Sequence, residues 1–253
     1  MEQTYFVRTE VPGAGHILVP VTVSDEPWKG DLSVTGPEAV TPRRIMDAAR
    51  RKIGLPLFIG ETDRLMLREL SEEDLPAVRN LKLQETETEL LGASAGQLCD
   101  AGFLRSYIRN QYPLFGFGLW GVFLKKDGED LAGGSGKNDV QLIGLAGFGM
   151  PEEEAGQEER QKERQEERQE ETPELGYYIA PSFRRKGYAE EACRICLLYA
   201  KEELGLEEVL LRIRAGNKAS LMLGRKLVQE EKHLEGPGAV PGPEPASLRL
   251  VIL

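Results

Sequence analysis

Cysteine and histidine are scarce: three and two of 253 residues. An odd, small number of thiols does not build the disulfide framework of a compact secreted scaffold. His16 and His233 stand alone and far apart in the chain, so neither a catalytic triad nor a metal site is expected. Long hydrophobic runs are also missing. The longest, Leu114 to Leu124, has eleven residues including glycines, against about 20 for a helix that crosses a bilayer. A helical membrane span is thereby excluded, and the run reads as a buried strand. Met1 to Glu10 contain no basic segment followed by an apolar core, so the expectation is a chain without a secretory leader, in a reducing, cytoplasmic compartment. Positive charge is not in excess either, with 32 basic against 42 acidic residues and a net charge of −10. Nucleic-acid binding, which needs a basic footprint to displace counterions from phosphates, is not expected.

What is present suits one large globular domain with an appendage: 40% hydrophobic and 29% charged residues. The charge is unevenly spread. Glu152 to Thr172 hold ten glutamates against three arginines and one lysine, which leaves only −4 on the rest of the chain. This Glu/Gln/Arg tract has almost nothing apolar to bury, so residues 151–173 read as a solvated low-complexity insertion. Residues 1–60 are charge-balanced and read as an N-terminal extension without an evident role. They carry two β-like runs, Tyr5 to Thr9 and His16 to Val23, and a helix opened by Thr41 as cap and Pro42 at the first helical position. Arg43, Arg44, Arg50 and Arg51 share one face of that helix, opposite Ile45, Met46, Ala49 and Ile53, and read as a solvated outer face.

From Thr62 the pattern becomes regular. Leu65, Leu67 and Leu70 mark a strand-like run, and Ser71 with Asp74 three positions on caps a helix. A second helix is predicted over Gln97 to Gln111. Strands follow at Gly116 to Lys125 and Val140 to Phe148, with the Gly- and Asp-rich residues 126–139 as a hairpin loop. Beyond the insertion come a strand at Glu174 to Ala180 and an amphipathic helix at Gly187 to Leu204. Its Ala189, Ala192, Cys193, Cys196, Leu197, Ala200 and Leu204 fall on one stripe. Val209 to Ile213 is a strand, Lys218 to Leu227 a helix, and Ser247 to Leu253 a closing strand. Strand, helix, strand predicts a βαβ unit, and the fold class is α/β with a mixed sheet. Cys193 and Cys196 lie on the apolar stripe and read as buried structural thiols.

Chemistry concentrates at the turn Pro181-Ser-Phe-Arg184-Arg185-Lys186-Gly187-Tyr188-Ala189. Small residues let backbone amides approach a ligand, the helix start adds unpaired amides and a positive dipole end, and three cations surround them. The combination suits a pyrophosphate. It has neither the lysine-serine ending of a Walker loop nor the leading glycines of a dinucleotide fingerprint.

The run from Glu174 through Leu-Gly-Tyr-Tyr-Ile-Ala-Pro, followed by Arg184, Gly187, Ala189, Glu191 and Ala192, resembles the coenzyme A motif of the GNAT superfamily of N-acyltransferases. Thirty residues after Gly187, Asn217 and Ser220 match the start of the next motif of that family. Upstream, Thr62-Asp-Arg64-Leu65, with Leu67 and Arg68, is similar to the opening strand of its RimJ/RimL-like branch. The resemblance spans roughly residues 61–253 and implies a GNAT-type fold, a mixed sheet whose two central parallel strands splay apart, flanked by helices. It implies acetyl-CoA as cosubstrate, with Tyr177, Tyr178 and Ile179 lining the pantetheine, residues Arg184, Arg185, Lys186, Gly187, Tyr188 and Ala189 at the pyrophosphate, and Asn217 nearby.

No metal is called for. The implied reaction is direct attack of an amine, on a small molecule or a peptide or protein N-terminus, upon the thioester. An amide near Tyr178 or Ile179 would serve the developing oxyanion. Glu174 is the candidate base and Ser220 the candidate acid, although a serine and an asparagine on a first helical turn also read as capping groups. The acceptor is expected on the side of the first helices, near Glu85 to Glu89. Two departures stand out: Gly224 replaces the tyrosine many family members carry, and Val228-Gln229 replace Gly-Phe. They leave open a catalytically degenerate acetyl-CoA sensor or an interaction module as the alternative.

Overall fold

The computed structural model describes residues 3–23, 32–34, 36–83, 91, 94–125, 140–150, 172–206, 208–234 and 247–252. Residues 151–171 of the expected insertion and the hairpin loop at 126–139 lie outside the described residues, as does the Glu85 to Glu89 segment. Among the described residues no helix is long and apolar enough to cross a membrane.

The first residues form a small three-stranded sheet. β1 (Gln3–Val11) and β2 (Gly15–Val23) pair antiparallel, and β3 (Leu32–Val34) runs parallel to β2. Helix α1 (Pro42–Lys52) closes one face, burying Ala48 and Ala49 against Val11, Val19, Val21 and Val34. The helix starts where the sequence predicts, with Thr41 Oγ1 accepting from the Arg44 amide at 3.2 Å.

The second sheet has seven strands: β4 (Phe58–Glu61), β5 (Leu65–Arg68), β6 (Leu119–Lys125), β7 (Val140–Gly149), β8 (Glu174–Ile179), β9 (Glu208–Ile213) and β10 (Ser247–Ile252). They lie side by side in the order β10-β9-β8-β7-β6-β5-β4. β4 to β8 are antiparallel neighbours, whereas β8 with β9 and β9 with β10 are parallel. Besides a single helical turn at Ser94–Gln97, the α-helices that accompany this sheet among the described residues are α2 (Leu75–Asn80), α3 (Ala101–Phe115), α4 (Tyr188–Tyr199) and α5 (Lys218–Leu234). The mixed sheet flanked by helices is the architecture the sequence predicts.

Local chemistry explains the boundaries that moved. α3 begins four residues later than the pattern suggests because Asp100 supplies the cap, its carboxylate accepting from the Phe103 amide at 2.8 Å. The helix then runs through Pro113 and stops at Gly116 in a left-handed conformation. Leu114 and Phe115 therefore end a helix, and only Leu119 onward is strand. Tyr107 and Tyr112 of α3 reach back to that strand. Tyr107 Oη accepts from the Leu119 amide and Tyr112 Oη donates to its carbonyl, both at 2.7 Å. The centre of the core is a ring cluster in which Trp120 meets Phe148 and Tyr199 edge to face, at 5.7 and 5.1 Å between centroids. The Ser71–Asp74 capping box forms as expected, and Arg68 adds two hydrogen bonds of 2.8 Å to the same carboxylate. Burial opposes ionisation of Asp74, but Arg68 and Ser71 outweigh it and hold the carboxyl below its usual range.

The arginine face of α1 is a solvated outer face only in part: Arg43 and Arg44 are exposed, whereas Arg51 is not. Arg51 turns onto Glu69, which is only 2% exposed, with its Nε at 3.0 Å and Nη2 at 2.6 Å from the carboxylate. The other Glu69 oxygen accepts from the Leu57 amide at 3.1 Å. Arg43 pairs with Glu203 beyond the C-terminal end of α4. Helical spacing placed these cations on one face but could not show that a buried Glu69 and an exposed Glu203 of the same chain face two of them.

Removing one partner of a buried pair strands the other charge. Arg51→Met is therefore expected to destabilise the protein by about 3 kcal/mol, lowering Tm by about 8 °C. Arg51→Met with Glu69→Gln recovers more than half of that loss, since the amide oxygen still accepts from Leu57. Thermal unfolding that is indifferent to Arg51→Met would show that this contact does not hold the N-terminal module.

Candidate functional site

β8 and β9 are sheet neighbours that meet at a single residue pair, Glu174 opposite Leu210, with the Leu210 amide donating to the Pro173 carbonyl at 2.9 Å. Past this point the two strands form no further ladder pairs. On its other side β8 is paired with β7 along its whole length. The Ala180 amide donates to Ile143 of β7 at 2.9 Å, which sets the phase of that ladder. Gly176 and Tyr178 therefore direct their backbone groups to β7, while Leu175, Tyr177 and Ile179 direct theirs into the gap. The gap-side carbonyls of Pro173 and Ile179 agree with this phase, since Ile179 accepts from Arg184 Nε at 2.7 Å.

Side chains alternate across β8. Tyr178 turns to the α2 side and donates to the Leu81 carbonyl at 3.0 Å, and Tyr177 turns to the side of α4 and α5. Gly144 lets β7 lie close here: a Cβ on it would stand 2.1 Å from the Tyr178 carbonyl oxygen.

The end of β8 leads through a short 3-10 turn, Pro181–Phe183, into the predicted loop. Arg185 and Gly187 both have left-handed backbone conformations, with φ of 66° and 85°. Gly187 stands at the N-cap of α4, and no side chain caps the helix. The first helical bond is the Glu191 amide to the Gly187 carbonyl at 3.2 Å, so the amides of Tyr188, Ala189 and Glu190 precede any intrahelical acceptor. Arg184, Arg185 and Lys186 are exposed around them. The carboxylates of the first turn are occupied elsewhere. Glu191 accepts from Thr62 Oγ1 at 2.7 Å and from Arg64 Nε at 2.9 Å, and Arg64 also lies over the Tyr188 ring at 4.7 Å. Glu190 pairs with Lys226 and Arg194, each at 2.7 Å. Among the described residues, the acids of the first turn are thus paired away from the positive end of α4 and its cations.

The predicted catalytic pair is placed on two sides of the gap. Glu174 sits at the fork where the strands part, ion-paired with Arg212 of β9. Ser220 lies on the first turn of α5, its Oγ accepting from the Tyr177 phenol at 2.8 Å. Asn217 caps that helix, its Oδ1 accepting from the Ser220 amide at 3.1 Å. Burial pushes the Tyr177 phenol well above its ordinary pKa, with a smaller push from Cys193, while the Ser220 bond opposes them. Arg212, Arg64 and the Tyr177 side chain were not singled out as partners. The signal for Arg212 was a charged residue inside the apolar run Val209 to Ile213.

Cys193 and Cys196 are fully buried, and burial first of all raises both thiols. Among the described residues no group of His, Cys, Asp or Glu is gathered as a metal site. A cavity of about 400 Å³ lies on the α2 side, lined by Ala77, Asn80, Val140, Gln141 and Leu142.

An open strand edge followed by a cationic, uncapped helix start offers regularly spaced donors and acceptors for a linear amide-bearing arm, then amides for a diphosphate. The family model of the acetyltransferase (GNAT) domain matches residues 64–227. Three solved structures are similar at low identity. The RimL ribosomal L7/L12 alpha-N-protein acetyltransferase, in an apo crystal form, shares 15% identity over 68% of this chain and 80% of that one, with a TM-score of 0.45. An acetyltransferase from Agrobacterium tumefaciens shares 21% over 76% and 90%, at 0.44. A GNAT-family acetyltransferase from Bacillus anthracis shares 20% over 68% and 82%, at 0.43.

Two outcomes are expected from this geometry. A Cβ at Gly187 would sit 3.2 Å from Arg64 Nη2 at a φ that costs an L residue about 1–2 kcal/mol, so Gly187→Ala should weaken coenzyme A binding about tenfold by calorimetry. Unchanged affinity would remove the loop from the site. Iodoacetamide on the folded protein should label Cys99 alone of the three thiols, and mass spectra showing Cys193 or Cys196 labelled at the same rate would contradict their burial.

Proposed function

The chain belongs to the GNAT acetyltransferase family, and we propose that it transfers acetyl from acetyl-CoA to a primary amine, on a peptide or protein N-terminus or a small molecule, by direct attack. The observation that carries this reading is the parting of β8 from β9 immediately before an uncapped, cation-ringed helix start. Acetyl-CoA supplies an activated acyl carbon on a thioester and a thiolate leaving group. The chain supplies the rest. Gap-side backbone groups of Tyr177, and the Leu175 carbonyl, hold the pantetheine amides, and the amides of Tyr188 to Glu190 with Arg185 and Lys186 hold the diphosphate. Ile179 N–H faces the gap and serves the carbonyl oxygen as it gains charge, whereas the Tyr178 amide is turned to β7. Glu174 takes the proton lost by the acceptor nitrogen, its carboxylate oriented by Arg212 on the side from which α2 looks onto the sheet.

The seven-stranded sheet from β4 onward, with its helices, forms the catalytic unit, and the small sheet with α1 forms an accessory module held by Arg51 and Arg43. The resemblance of the Thr62 to Arg68 strand to the RimJ/RimL-like branch favours a protein N-terminal amine as acceptor.

Thiol release from acetyl-CoA, followed across N-terminal peptides and small amines, tests the proposal. Release should be saturable and require an acceptor. Reversing the charge at Arg185 or Lys186 should raise the KM for acetyl-CoA about tenfold each. Tight binding of acetyl-CoA with no release for any acceptor in the panel would favour a sensor and contradict a transferase.

A further inference from the structure

Tyr177 and Ser220 stand on opposite walls of the parted strands. Tyr177 belongs to β8, and its backbone groups face the gap. Ser220 belongs to the helix that follows β9. The 2.8 Å hydrogen bond between their hydroxyls spans from one wall to the other, and the phenol is the donor.

A serine hydroxyl on a first helical turn is ordinarily consumed as a cap. Here that role is already filled, because Asn217 Oδ1 accepts from the Ser220 amide. Ser220 Oγ has one proton and two lone pairs. With Tyr177 donating into a lone pair, the Ser220 proton has to point elsewhere, and among the described residues no acceptor takes it. Burial raises the phenol, so Tyr177 remains a donor throughout the neutral range and does not compete for the Ser220 proton.

Resting on the acetyl-transfer reading, we propose that Tyr177 is a positioning residue that fixes the Ser220 hydroxyl so that its proton points into the gap and hydrogen-bonds the thioester sulfur. No proton leaves Ser220. The carbon–nitrogen bond forms as the carbon–sulfur bond breaks, the electron pair of the broken bond stays on sulfur, and the proton lost by the acceptor nitrogen passes to Glu174 or water. Ser220 stabilises the sulfur charge through its fixed hydrogen bond, and Tyr177 keeps that bond aimed.

The test titrates the thiol of bound coenzyme A by its thiolate ultraviolet absorbance in the wild type, Tyr177→Phe, Ser220→Ala and the double variant. A hydrogen bond from a hydroxyl to the thiolate anion enlarges its population at a fixed pH about tenfold. That gain should be present in the wild type, lost in Ser220→Ala, and mostly lost in Tyr177→Phe. In the double variant it should be no smaller than in Ser220→Ala alone. In turnover, kcat should fall about fivefold in Tyr177→Phe with the KM for acetyl-CoA unchanged, a split that general loosening of the fold would not produce. If coenzyme A binds and its thiol titrates alike in all four proteins, or if Tyr177→Phe acts equally in the Ser220→Ala background, the positioning role is wrong while the transferase reading stands. If coenzyme A does not bind the wild type, both fall.

Discussion

The structure turns on two parallel strands that separate after one shared residue pair. Leaving strand groups unpaired is unfavourable, since a buried amide or carbonyl without a partner costs about 1–3 kcal/mol. The separation is sustained from both sides. β8 is fully paired with β7 and β9 with β10, so neither strand can shift to close the gap without losing a complete ladder. Arg184 covers one of the exposed carbonyls, that of Ile179, and the Tyr177 phenol bridges the walls above it. Pairs between α4 and α5, Arg194 with Glu230 and Lys226 with Glu190, are exposed and contribute little energy.

The helix whose start is proposed to receive the diphosphate is anchored to the far edge of the sheet. Glu191 is held by Thr62 and Arg64 from the turn between β4 and β5, and Arg64 stacks on Tyr188. This arrangement gives a physical reason for two motifs that lie more than a hundred residues apart to occur together. A Thr and an Arg at the opening strand secure an acid on the first helical turn, and in doing so prevent that acid from opposing an anion at the helix start. The Glu69–Arg51 contact repeats the device at the base of the N-terminal module, with a buried carboxylate satisfied by one guanidinium and one backbone amide.

The strands, the helices and the cationic turn were legible because each has a local cause: an alternation of apolar residues, a cap such as Thr41 or Ser71, a glycine required at Gly187. The partnerships were not. Nothing local in Glu174 announces Arg212, and nothing in Tyr177 announces Ser220, because each pair is created by the way β9 and α5 return alongside β8. The arginines of α1 were misread in part for the same reason, since a helical face shows where charges gather but not what the rest of the chain presents to them. α3 shifted because Asp100 caps more strongly than the apolar pattern alone suggested.

Backbone alternation along β8 is the most direct test of the parted strands. Amide hydrogen exchange resolved by residue should show Gly176 and Tyr178 protected and Tyr177 and Ile179 exchanging readily in the free protein, with the latter two becoming strongly protected when coenzyme A is added. Uniform protection from Gly176 to Ile179 before ligand, or exchange at Tyr177 and Ile179 that coenzyme A leaves unaltered, would contradict an open edge that receives the cosubstrate.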